Sequence, residues 1–191
     1  MIRTVIAAAA TAVLALAAEK PLVEGNADSP VRAIIYEDLQ CSDCAEFRVM
    51  LDQKLLPRFG SKVAFEHRDF PLSKHKWARD GAIASRYFAS ISPALAIKWQ
   101  QYAMAHQPEI TPENFREKLT AWAKQNGAAG ETTLAALGNA EFSAAVDRDY
   151  QDGVARGIAH TPTVLVNGEP FIETFAYEDI SAAIEKALAG R

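Results

Sequence analysis

Cysteine is almost missing from this chain of 191 residues: there are two, Cys41 and Cys44. One pair cannot build a disulfide framework, and with two residues between them they close too short a loop to restrain much of the unfolded chain. Weight therefore moves from a structural staple to a redox role. An excess of positive charge is missing too. Lys and Arg number 20 against 24 Asp and Glu, a net charge of −4. Both signs are spread along the chain, and no basic stripe marks a nucleic-acid partner. No internal repeat is present. Long apolar runs are missing outside the first residues, where the charged start Met1-Ile2-Arg3 leads into the uncharged run Thr4 to Ala18. That run falls short of the about 20 residues a membrane span needs. Ala15-Leu16-Ala17 fits the small-x-small cleavage rule, so residues 1–18 read as an export signal cut near Ala17 or Ala18. No cysteine at the cut offers a lipid attachment site. Export implies a periplasmic or otherwise extracytoplasmic compartment, where disulfide chemistry persists.

What is there begins with an apolar fraction of 49 %, that of an ordinary globular protein, and a length that suits one domain. Residues 19–30 are polar, with Pro21, Gly25 and Pro30, and read as a linker or a weak first strand. Val31 to Tyr36 reads as a buried strand. Phe47, Met50, Leu51, Leu55 and Leu56 recur at helical spacing up to Pro57 and Gly60. Val63 to Phe70 alternates as a second strand. From about 73 to 157 the pattern is helical, with a start signal at Thr111-Pro112-Glu113-Asn114, Pro taking the first helical position. A last helix of that block runs from Ala140 to Ala155. Thr163 to Val166 and Glu169 to Glu173 flank Asn167-Gly168, a hairpin signal. Tyr177 to Ala189 closes the chain as an amphipathic helix. The order is strand, helix, strand, helical block, hairpin, helix. It predicts an α/β domain over residues 31–191, a central mixed sheet flanked by helices, split by a helical insertion at about 73–157.

The two cysteines sit where the first of these strands gives way to a helix, the context of a redox motif. Cys41 is expected as the exposed nucleophile near the helix N-cap, where unpaired N–H groups and the helix dipole favour a thiolate. Cys44, one turn on, is expected to point inward and to resolve a mixed disulfide. Half a zinc or copper site is the competing reading. It needs two more ligands, and His67, His75, His106 and His160 have no ligand spacing. His67, His75 and His106 read as surface or capping residues. Trp77, Trp99 and Trp122, with Tyr87 and Phe88, read as core, and Lys74-His75-Lys76 as a solvated basic patch. His160-Thr161-Pro162-Thr163 precedes the hairpin, and an X-Pro bond at a strand start is a candidate cis bond.

These pieces together resemble the DsbA-type thiol:disulfide oxidoreductases of the thioredoxin superfamily, closest to its BdbD-like members. The resemblance runs from about Val31 to Leu188. It rests on Tyr36-x-Asp38-x-Gln40-Cys41-x-x-Cys44-x-x-Phe47, on Arg68-Asp69-Phe70-Pro71-Leu72 followed by His75, Ala78 and Ala82, on Trp99, and on Gly157-Ile158-x-x-Thr161-Pro162-Thr163-x-x-Val166-Asn167-Gly168. It implies a thioredoxin-like fold with an inserted all-helical subdomain, Cys41 as nucleophile, Cys44 as resolving thiol and a cis Pro162 facing them. It further implies unfolded or folding secreted proteins as substrates, pairing with the backbone of Thr161 as an added strand. A membrane or soluble partner would recycle the pair. No cofactor or metal is implied. His75 would take a structural place at a helix start.

The chain departs from that pattern in three places. Ser42 stands where relatives often carry Pro, and Asp43 where they often carry His or another uncharged residue. Ile35 stands where many carry a buried acid that relays a proton for the resolving cysteine. A carboxylate beside a forming thiolate disfavours it, so Ser42 and Asp43 are expected to tune the site toward a raised Cys41 pKa and a weaker oxidant. His160 is expected to lie over the site and, when protonated, to offset Asp43. The main expectation is an exported oxidoreductase that forms disulfides in secreted proteins and is expected as a monomer. The alternatives are a reductase or isomerase of the same fold, and a periplasmic metal- or peptide-binding protein that uses the cysteine pair.

Overall fold

A computed structural model describes residues 21–190. The expected export signal, residues 1–18, lies outside the described residues. Within them the sheet has five strands in the order β1-β3-β2-β4-β5. These are β1 (Leu22–Gly25), β2 (Arg32–Glu37), β3 (Ala64–Asp69), β4 (Thr163–Val166) and β5 (Glu169–Ile172). β2 and β3 run parallel, and the other neighbours pair antiparallel. The register sets Glu37 beside Asp69 and Tyr36 beside Thr163. The carboxyl ends of the two central strands and the start of β4 therefore meet at one rim, where open α/β sheets hold their sites.

Strand alternation divides the core. Ala33 and Ile35 of β2 pack on one face with Phe47, Leu51, Leu55, Val164, Ile180 and Ile184. Tyr36 faces the other side, against Phe70 and Leu165. Helix α1 (Ser42–Met50) leads directly into a π turn at Leu51–Leu55 and then α2 (Leu56–Phe59). The wider turn falls just ahead of Pro57, which has no N–H to give and whose ring would crowd the carbonyl one turn back. The hairpin turn places Asn167 at φ 48° and Gly168 at φ 94°, the backbone that Asn-Gly suits. Helix α8 (Tyr177–Ala189) then covers the sheet with Ile180, Ala183 and Ile184.

Between β3 and β4 lie α3 (Ala78–Ile91), α4 (Pro93–Ala105), α5 (Phe115–Gln125), α6 (Gly130–Ala136) and α7 (Ala140–Ala155). Helix α5 corrects the expected start at Pro112. Asn114 Oδ1 accepts from the Thr111 N–H at 2.8 Å, and the Thr111 hydroxyl accepts from the Asn114 N–H at 3.4 Å. These two bonds form a capping box, and the Phe115 N–H donates to the Thr111 carbonyl at 2.9 Å, so Thr111 opens a single turn and the regular helix follows from Phe115. The three tryptophans are core, as expected. Trp99 and Trp122 meet edge to face at 5.3 Å between centroids, and Trp77 stacks on Phe115 at 5.7 Å. Leu39, Cys41 and Cys44 belong to that same apolar cluster. The insertion therefore packs on the loop and helix that carry the cysteines.

Candidate active site

Cys41 is the N-cap of α1, with extended backbone at φ −83° and ψ 126°. Both cysteines are free thiols. Cys44 is fully buried, and its sulfur accepts the Asp38 N–H at 3.4 Å. The expectation of an exposed Cys41 is corrected: its relative exposure is 7 %. Its Sγ donates to the Thr161 carbonyl at 3.2 Å, and the insertion cluster covers its other side. Access comes from a cleft of about 520 Å³ lined by Cys41, Ser42, Phe70, Leu72, Tyr150 and His160, among others.

The Cys44 thiol is the largest of the influences that draw Cys41 from 9.0 down to about 6. Burial opposes the shift, and the Thr161 hydroxyl and the backbone N–H groups of Cys44 and Asp43 add to it. The expected rise of Cys41 through Asp43 is therefore corrected. Asp43 acts on the sulfur through its backbone N–H at the helix N-terminus, and that donor favours the thiolate. Cys44 moves the other way. Burial pushes it well above 9.0, and the Cys41 sulfur and Glu37 push it further. The two thiols are thus split into one that ionises readily and one that holds its proton, the division an exchange reaction requires.

The Thr161–Pro162 bond is cis, and Thr161 is buried beside Cys41. Ser42 and Asp43 are the first two residues of α1 and line the cleft. His160 lines it too, yet its ring is exposed and pairs through Nδ1 with Glu173 Oε1 at 2.9 Å. The groups that lower Cys41 do not include it. The expected offset of Asp43 by His160 finds no support there, because the His160 Nδ1 is engaged by Glu173 and not by the cysteine pair. Glu173 is left-handed at φ 57°, and its N–H donates to the Pro162 carbonyl at 2.8 Å.

Three other residues take places at or near the site that the sequence reading had not given them. Asp38 is buried and accepts from the Gln40 N–H at 2.7 Å, the Leu72 N–H at 2.7 Å and His75 Nδ1 at 2.8 Å. His75 is therefore a partner of the redox loop, and not a member of a solvated basic patch. His67 corrects the surface reading outright, since only 2 % of it is exposed. Its Nδ1 meets Glu37 Oε1 at 2.7 Å and its Nε2 meets Glu24 Oε1 at 3.0 Å, while Arg48 donates to Glu24 at 2.5 Å. Burial disfavours the imidazolium, but Glu37 and Glu24 outweigh it and raise His67 to about 9. The available signal was Glu66-His67-Arg68-Asp69, four charged or titratable residues inside a strand between apolar neighbours.

Comparison with known proteins bears on this geometry. A family model described as Thioredoxin matches residues 17–186. Disulfide bond formation protein D of Bacillus subtilis (strain 168) is 26% identical over 176 residues, 88% of this chain and 78% of that protein. The crystal structure of oxidised BdbD from Bacillus subtilis is similar with a TM-score of 0.78 at 26% identity, covering 88% of this chain and 93% of that one. The Na(+)/H(+) antiporter NhaA 1 of Salinispora arenicola (strain CNS-205) is 25% identical over 171 residues. That match takes in 88% of this chain and 25% of the antiporter, so the chain spans about a quarter of that relative's length. Among the described residues no helix is long and apolar enough to cross a membrane.

Proposed function

The chain belongs to the thioredoxin family, and from that membership we propose that it is a DsbA-type thiol:disulfide oxidoreductase that forms disulfides in exported proteins. The observation that carries the reading is the split between the two thiols, Cys41 drawn down to about 6 and Cys44 buried and raised. In the oxidised protein a substrate thiolate attacks the Cys41 sulfur, and Cys44 leaves as a thiolate and takes up a proton. A second substrate thiolate then attacks the substrate sulfur of the mixed disulfide, and Cys41 leaves as the thiolate the helix N-terminus favours. Two electrons pass from the substrate dithiol to the pair. A membrane or soluble partner removes them and restores the disulfide. Run backwards, Cys41 attacks a substrate disulfide and Cys44 resolves the mixed species.

Thr161 and Pro162 form the edge against which the substrate backbone pairs as an added strand. The cleft walls of Phe70, Leu72 and Tyr150 receive its flanking side chains. Exported or folding proteins are the substrates, and the working compartment is extracytoplasmic. The N-terminal apolar segment supports that placement. So does the similarity to disulfide bond formation protein D of Bacillus subtilis.

The test is equilibration of the purified chain with glutathione. A potential near about −120 mV marks a disulfide donor, and one near about −270 mV marks a reductase. Cys44→Ser should accumulate mixed disulfides through Cys41, visible on non-reducing gels, and Cys41→Ser should form none. Absence of any exchange in the wild type removes the redox reading.

A further inference from the structure

The loop that presents the nucleophile is held largely by the helical insertion and the segment leading into it. Gln40 Oε1 accepts the Trp77 N–H at 3.0 Å. Gln107 stands in a short 3-10 turn after α4, at Gln107–Glu109. Its Nε2 donates to two carbonyls of the redox loop, Leu39 at 2.8 Å and Cys41 at 2.9 Å. The Cys41 carbonyl also accepts the first bond of α1, from the Ala45 N–H at 3.1 Å. A carbonyl has two lone pairs. Here one is taken from within the helix and the other from the insertion. Two acceptors converging on one nitrogen also fix which end of the Gln107 amide points inward.

This matters because Cys41 is an N-cap residue. Its extended backbone is what leaves the sulfur ahead of the α1 N-terminus and beside Thr161. Gln107 secures the carbonyl side of that residue, and Asp38 secures the other, its carbonyl accepting the Cys41 N–H at 3.0 Å. We propose that Gln107 is a positioning residue for disulfide exchange: its amide, carried by the insertion, locks the Cys41 carbonyl and holds the Cys41 sulfur over the helix N-terminus. The insertion is then part of the redox machinery as well as its cover. Without the amide donors, the loop relaxes and the thiolate loses alignment with the N–H groups that favour it. The reduced pair is favoured less, and the disulfide becomes a weaker oxidant.

The proposal rests on the redox reading, and the experiment keeps the two failures apart. Gln107→Met in the full chain has nearly the same shape and no donor. The loss of one to two hydrogen bonds should lower the equilibrium constant for oxidising glutathione by about three- to tenfold. The midpoint of the Cys41 thiolate absorbance titration should rise in step, by about half to one pH unit. Gln107→Asn, whose amide falls one methylene short of both carbonyls, should shift both quantities the same way and serves if the Met variant does not fold. Thermal melts accompany each variant. A variant that melts lower but keeps the wild-type titration midpoint and exchange constant overturns the proposal, because it leaves Gln107 a purely structural role. A wild type that does not exchange with glutathione overturns the redox reading and takes the proposal with it.

Discussion

At the scale of single residues, the site turns on where protons reside. The folded Cys41 thiol titrates at about 6 against an ordinary 9.0. An acid with a depressed folded pKa adds stability above its unfolded pKa, and that stability is lost as the pH falls through the folded value. The oxidised protein has no thiolate at Cys41 and cannot gain from it. The stability of the reduced form relative to the oxidised form should therefore rise between about pH 6 and about pH 9, as read from urea melts of both forms. A difference that stays flat over that range would show that the helix N-terminus does not hold a thiolate. His67 has the opposite sign. Its folded pKa of about 9 exceeds the ordinary 6.5, so its contribution is complete below 6.5 and is lost as the pH rises through about 9. Glu24 is burdened by burial, but His67 and Arg48 outweigh that and take it from 4.5 to about 2. Its contribution is therefore present above 4.5 and lost as the pH falls through about 2. His67→Leu leaves two carboxylates buried without their bridge. It should cost about 3–5 kcal/mol near neutral pH, and the alkaline fall between 6.5 and about 9 should vanish from the stability profile.

At the scale of elements, packing decides where propensity would mislead. Helix α7 carries Gly153, a residue that intrinsic preference disfavours by about 1 kcal/mol against Ala. A Cβ there would lie 2.7 Å from the Phe70 ring and 3.1 Å from the Tyr36 ring. Those rings are themselves packed, Phe70 stacking on Tyr150 at 4.6 Å. Gly153→Ala should therefore destabilise by about 1–3 kcal/mol despite its better helix propensity, and a rise in the melting temperature would contradict the close approach. The same limit governs how much was legible in the sequence. The Cys41–Cys44 spacing, the Asn167-Gly168 turn and the helix from Ala140 to Ala155 depend on local chemistry, and local pattern revealed them. The regular part of α5 begins at Phe115, one turn beyond the capping box that Thr111 and Asn114 close around Pro112. The burial of His67 depended on a ladder register, Leu22 opposite His67 on one side and Ile35 on the other, which no window of sequence contains. Gln107 lies 66 residues from Cys41, and the pair is joined only once the insertion has folded back.

At the scale of the whole molecule, that folding back is fixed by a buried charge network. Arg86 of α3 donates to Asp69 at the end of β3 at 2.5 Å and also bonds Asp149 of α7. Asp149 in turn accepts the Asp69 N–H at 3.0 Å and Arg68 Nη1 at 2.9 Å. Arg86, Asp69 and Asp149 are all buried. Three elements, two from the insertion and one from the sheet, thus share one guanidinium close to the rim that carries the cysteines. Burial raises Asp69, and the attraction of Arg86 is what restrains it. Arg86→Met keeps most of the volume and removes the cation from Asp69, leaving that buried carboxylate beside Asp149, which keeps Arg68. The expected loss is about 3–5 kcal/mol near neutral pH. The deficit also has a direction in pH. A carboxylate whose folded pKa is raised binds its proton more readily in the folded state, so acid restores stability to it. The gap between Arg86→Met and wild type should narrow as the pH falls from about 7 to about 5, read by urea unfolding at both. Tryptophan fluorescence from the insertion and the far-ultraviolet signal of the whole chain should unfold together in the wild type, as one cooperative unit does. In the variant the insertion should lose its signal at lower urea than the rest. A deficit equal at both pH values, with the two signals still coincident, would place the tie between insertion and sheet elsewhere, in the aromatic cluster around Trp77 and Trp99.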